Sequence, residues 1–169
     1  MKTSRAAVGS TAFFMAAPGV VAGVIPYLIS RWRSVDHPTV LVVAGALMTI
    51  AGTGFLIHSF VRFVTEGRGT PAPIAPTTRL VVGGAFRYVR NPMYLAVLTT
   101  ILGQAAIFGQ LPLLIWAGMV AAAFVAFVDV YEEPTLRRTY GREYEQYVAH
   151  VRAWVPRLTP YRLTEDISP

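Results

Sequence analysis

Four apolar runs, at residues 6–29, 39–61, 93–108 and 111–131, constrain this chain more than any other feature. A helix crosses the hydrocarbon core of a bilayer with about 20 residues of low polarity. The third run is short for this and must tilt, or take in Pro92 at its first turn. Of the 169 residues, 54% are hydrophobic and only 14% charged, too apolar for an ordinary soluble domain. The expected fold is all-α, an integral membrane helical bundle of about four transmembrane helices forming a single domain. Residues 1–64 carry the first two spans, 65–92 a cytoplasmic connector, 93–133 a helical hairpin, and 134–169 an amphipathic cap helix and tail.

The net charge of +6 is unevenly placed. With four spans and the N-terminus inside, Lys2, Arg5, the arginines from Arg62 to Arg90 and those from Arg137 to Arg162 share one side. Only Arg31 and Arg33 face the other. The positive-inside bias then puts both termini in the cytoplasm, in a cell (inner) membrane. Because these cations flank apolar spans, anionic headgroups are the expected partner and nucleic acid is not. Lys2 and Arg5 before an apolar run resemble a signal peptide, but the run exceeds a typical h-region, which favours an uncleaved first span. Cysteine is absent, excluding disulfides and thiolate chemistry. His37, His58 and His150 show no ligand spacing, so no metal site is expected.

The second span carries Gly45, Gly52 and Gly54 among alanines, and small residues let helices approach closely. That places it at the centre of the bundle. His58 and Arg62, four apart, share a face near its inner end; interfacial snorkelling is the more economical reading of them. Three prolines and two glycines between Glu66 and Pro76 forbid a regular element. Gly83-Gly84 permits a turn or a close approach to a ligand, which makes the connector a candidate binding loop.

Phe108-Gly109-Gln110-Leu111 is a short turn, so the third and fourth spans are antiparallel neighbours. The start of one and the end of the other therefore lie on one face of the membrane. Arg90-Asn91-Pro92-Met93-Tyr94 can approach Glu132-Glu133. Acids at a helix C-terminus oppose the macrodipole unless something compensates them, and ionisable groups beside lipid usually pair or serve a site. Consecutive helical residues point about 100° apart, so one glutamate can enter a cleft while the other meets an arginine. Asp129 is a further acidic candidate. Tyr140, Tyr144 and Tyr147 read as packing aromatics.

At these residues the chain resembles the isoprenylcysteine carboxyl methyltransferase family and its phospholipid methyltransferase relatives. The pattern is Gly84-x-Phe86-x-x-x-Arg90-Asn91-Pro92-x-Tyr94, then Glu132-Glu133-x-x-Leu136-x-x-x-Tyr140-Gly141-x-x-Tyr144-x-x-Tyr147, then Val155-Pro156. The resemblance covers residues 78–156. It implies a membrane enzyme that binds S-adenosylmethionine without a Rossmann domain and releases S-adenosylhomocysteine. Carried over, it makes Thr78, Arg79, Leu80, Val81, Phe86, Asn91, Pro92, Met93, Tyr94 and Glu132 cofactor-binding. Glu133 and Arg90 are the catalytic candidates.

Asn91 stands where the carboxyl methyltransferases usually have histidine, and Val128 where they place an arginine for the substrate carboxylate. Phe86 replaces a common tyrosine. The implied acceptor is thus only a lipophilic molecule, an isoprenoid or lipid carboxylate, amine or thiol. Two alternatives remain: a small non-enzymatic membrane scaffold or transport subunit whose charges lock the hairpin, and a related membrane reductase using a nicotinamide cofactor.

Overall fold

The computed structural model describes residues 17–67 and 80–161, without the side chains of 63–67. Everything regular among them is helical. Helix α1 spans Ala17–Ser30, α2 Thr39–Gly67, α3 Pro92–Phe108 and α4 Leu111–Phe127. A wide π turn, Val128–Glu132, carries α4 into α5 (Glu133–Tyr140), and α6 (Arg142–His150) comes next. The apolar segments Thr39–Arg62 and Leu111–Tyr140 are long enough to cross a membrane. Their outward side chains are apolar and exposed, Val40 at 70% and Ile50 at 71% among them. Faces of this kind meet lipid instead of water. The α3 helix and the described part of α1 are shorter, and the expected start of α1 at Ala6 lies outside the described residues.

The closest packing is between α2 and α3, and glycine explains it. A Cβ at Gly45 would stand 2.8 Å from the Ile107 nitrogen, and one at Gly52 2.9 Å from that of Thr100. Neither distance is tolerable, so these backbones touch only because no side chain intervenes. The expectation of a central second span is corrected here. Among the described residues α2 meets α3 and the connector along one stripe, and its other faces are open. Val97 and Ile101 of α3 instead form the core with Ala117 and Val120 of α4 and Ala22 of α1.

Helix α1 contains a π segment, Val20–Val24, two residues before Pro26. Proline has no N–H to return to the preceding turn. The orphaned acceptors are met from across the bundle: Gln104 Nε2 donates to the Ala22 carbonyl at 2.6 Å, and Trp116 Nε1 to that of Val21 at 3.0 Å. Two polar side chains inside apolar helices are thereby satisfied, as a membrane interior demands.

The end bearing the α3–α4 turn is fixed in a similar way. Gly109 takes a left-handed conformation (φ 65°) that closes α3. His37 Nε2 lies 3.0 Å from the Ala106 carbonyl, and Gln110 Nε2 donates to the Ser30 carbonyl at 3.1 Å. The opposite end is left for the connector and the charged motifs.

Candidate functional site

Asn91 caps α3 and Pro92 occupies its first turn, where a missing N–H costs nothing. Asparagine at this position normally bonds the helix's own N–H groups, yet Asn91 makes no such bond. Its side chain is buried and its Nδ2 has no hydrogen-bond partner among the described residues. A buried amide donor left unmet is costly.

Next to it, Arg90 Nη1 lies 2.7 Å from Glu133 Oε1 and donates to the Tyr144 hydroxyl at 3.3 Å. Glu133 Oε2 also faces Arg137 at 3.7 Å, and Arg137 pairs in turn with Glu145. Arg90 and Glu133, the pair assigned to catalysis from the sequence, therefore neutralise each other.

Glu132 takes another direction. Its Oε2 accepts a 2.8 Å hydrogen bond from Tyr94, and no cation pairs with it among the described residues. Consecutive helical residues point about 100° apart, and a π turn, which precedes Pro134 as the first π segment precedes Pro26, adds to the offset. One added residue in the turn rotates the helix beyond it, a device common at functional sites. Tyr94 in turn packs on Phe124 with ring centroids 4.5 Å apart, and its ring lies 6.3 Å from Trp154.

The remaining predicted residues fall on both sides of this cluster. Val81, Phe86 and Pro92 are buried, and Met93 is half-buried. Leu80 packs on the small core of Tyr144, Tyr147 and Val151. Thr78 and Arg79 lie outside the described residues. Arg62, expected at the interface, lays its Cγ 3.2 Å from where a Cβ of Gly84 would be, and Gly84 is left-handed (φ 55°). His58 is exposed and Asp129 is also at the surface.

The C-terminal segment, expected as a cap helix and tail, adds backbone contacts that the residue pattern did not reveal. Residues 151–161 form a strap along the connector. Arg90 N donates to the Arg152 carbonyl (3.0 Å), Asn91 N to Ala153 (3.3 Å), Arg157 N to Tyr88 (2.9 Å) and Tyr161 N to Arg87 (2.9 Å). Arg87 Nε returns a bond to the Tyr161 carbonyl at 2.7 Å. Tyr147 donates to the Phe86 carbonyl at 2.6 Å. Burial pushes the Tyr144 phenol up to about 12, with the Glu133 charge adding to the effect, and burial raises Tyr147 as well. Both stay protonated at neutral pH and act as fixed hydrogen-bonding struts. Arginines spaced along 152–157 beside a buried valine were the available signal.

The helical scaffold, with two helices long and apolar enough to cross a membrane, brings two polar motifs together at one end. A family model described as phospholipid methyltransferase matches residues 40–143. The chain belongs to that family, whose members are methyltransferases. The match runs from α2 to the start of α6, leaving α1 and the strap outside it. No curated protein and no solved structure matches the chain.

Proposed function

We propose that this chain is a four-span integral membrane enzyme that binds S-adenosylmethionine beside the connector and methylates a lipophilic acceptor. The observation that carries the proposal is the state of Glu132 and Asn91. One is a half-buried carboxylate without a cation partner among the described residues, the other a buried amide without an acceptor. This donor set fits a ligand that has both hydroxyl or ammonium donors and acceptor atoms. Asn91 Nδ2 would donate to it, Glu132 would accept from its hydroxyls or amino group, and Leu80, Val81, Phe86, Pro92, Met93 and Tyr94 would wall it. Thr78 and Arg79 remain candidates on the resemblance alone. When bound, S-adenosylmethionine supplies a sulfonium methyl, which passes to a lone pair of the acceptor as the carbon–sulfur bond breaks.

The protein's share is positioning and exclusion of water. Arg90 and Glu133 hold the start of α5 against the start of α3, so Tyr94 and Glu132 keep their separation. In the scaffold alternative both glutamates lock the hairpin. Arg90–Glu133 fills that role as an ion pair, whereas Glu132 is bonded among the described residues only by the Tyr94 hydroxyl and keeps acceptor capacity for a ligand. The site opens to the cytoplasm in a cell membrane, both termini lie on that side, and the acceptor enters laterally from the lipid.

Transfer of labelled methyl from S-adenosylmethionine to lipids bearing a carboxylate, amine or thiol tests the reading in detergent-purified protein. Label in one acceptor class, abolished by Glu132→Ala and Tyr94→Ala, supports it. Folded protein that labels none of the three and binds no S-adenosylmethionine refutes it.

A further inference from the structure

The aromatic group around Tyr94 draws its third member from outside the region matched by the family. Trp154 is half-buried, and its indole N–H donates to nothing among the described residues, whereas the indole of Trp116 is bonded. No hydrogen bond of its own therefore sets the ring's position. The backbone does: Ala153, the preceding residue, accepts from Asn91 N, and Arg152 from Arg90 N. The residues that present the motif are the same ones that hold Trp154 beside it.

The charge at this place is negative. Arg90 is committed to Glu133, which leaves Glu132 as the acid bonded to Tyr94, with no cation paired to it among the described residues. Aromatic faces are electronegative too, with tryptophan the strongest. Two tilted rings at 6.3 Å (interplanar angle 34°) beside an uncompensated carboxylate make a receptor for a cation.

We propose that Trp154 is a ligand-contacting residue and that, with Tyr94 and Glu132, it recognises the positive charge of the sulfonium. This rests on the methyltransferase reading above. The arrangement separates the charged methyl donor from its neutral thioether product, so the site favours S-adenosylmethionine over S-adenosylhomocysteine by more than it would with an aliphatic side chain at 154.

Calorimetric titration of the full chain in detergent with S-adenosylmethionine and, separately, S-adenosylhomocysteine tests this. Wild type, Trp154→Phe and Trp154→Leu are compared, with Trp32→Leu at the far end as control and a melting curve for each to verify folding. Wild type is expected to prefer S-adenosylmethionine. Trp154→Leu should reduce that preference by about two- to thirty-fold, the range of a cation–π contact. Trp154→Phe should fall between, and Trp32→Leu should match wild type. If Trp154→Leu does not fold, the Trp154→Phe ratio decides, together with loss of the tryptophan fluorescence change on ligand binding. Equal weakening of both ligands, or an unaltered ratio, overturns the proposal and makes Trp154 a packing residue. Folded wild type that binds neither ligand removes the methyltransferase reading itself.

Discussion

Glu132 and Glu133 are neighbours in the chain and take separate partners: Glu133 lies 2.7 Å from Arg90, and Glu132 accepts from Tyr94 at 2.8 Å. Adjacent helical positions point about 100° apart, so one carboxylate meets Arg90 of the connector and the other Tyr94 of α3, at the end of the π turn before Pro134. One residue closes the hairpin and the other is left with its charge uncompensated.

Closing the hairpin has a measurable consequence. Arg90 and Glu133 have side chains only 13% and 19% exposed. Arg90→Ala leaves Glu133 with the distant, more exposed Arg137. A loss of about 1–3 kcal/mol is expected, between the values for surface and buried pairs. Arg90→Ala combined with Glu133→Ala should cost less than the sum of the two singles. Thermal melts of all three variants in detergent check this, and strict additivity would show that the pair contributes nothing.

Helix contact between α2 and α3 gives a sharper contrast. Gly52→Ala places a methyl 2.9 Å from the Thr100 nitrogen, while Gly54, two residues on, has nothing within 4 Å. Gly52→Ala should destabilise by about 1–3 kcal/mol through overpacking. Gly54→Ala should be neutral or slightly stabilising, since alanine favours helix over glycine. Comparable melting temperatures for the two variants would contradict the close packing described.

The π segment of α1 couples three residues. Gln104→Leu leaves the Ala22 carbonyl unmet and should cost about 1–3 kcal/mol. In a Pro26→Ala background, residue 26 regains an N–H that can serve this turn, and the same substitution should cost less. The difference in melting shift between the two backgrounds is the measurement. Equal shifts would mean that Gln104 does not act through the proline.

Alkaline pH should loosen the strap. The Tyr144 phenol rises from 10.0 to about 12 on folding, chiefly through burial. A folded-state value above the unfolded one gives stability that is fully present below about pH 10 and lost as pH rises toward 12. Phenolate absorbance should therefore lag the ionisation of exposed tyrosines, and the melting temperature should fall across that window. Tyr144→Phe should flatten the fall. Ionisation of every tyrosine near pH 10 with no change in melting would contradict the burial of this cluster.

Much of this was legible in the residues. The apolar runs marked the helices, and the short turn at Gly109-Gln110 brought Arg90 toward Glu133, because antiparallel neighbours share ends. Gly45 and Gly52 showed a close approach but not its place, since a small-residue stripe serves an edge helix as well as a central one. Which glutamate met which partner could not be read, because a π turn depends on how a proline's lost hydrogen bond is accommodated in three dimensions. Trp154 was hidden for a related reason. Its position comes from backbone bonds between segments more than 60 residues apart, and backbone groups carry no sequence signal.

The central claim, that Glu132 binds S-adenosylmethionine, is tested most directly by equilibrium binding of that molecule to folded wild type and to Glu132→Gln. The glutamine keeps the shape and removes the charge. Wild type should bind, and Glu132→Gln should bind about 10- to 100-fold more weakly, as expected for losing a hydrogen bond to a charged group, with its melting temperature little altered. Equal affinity in the two proteins, or folded wild type that does not bind at all, would contradict it.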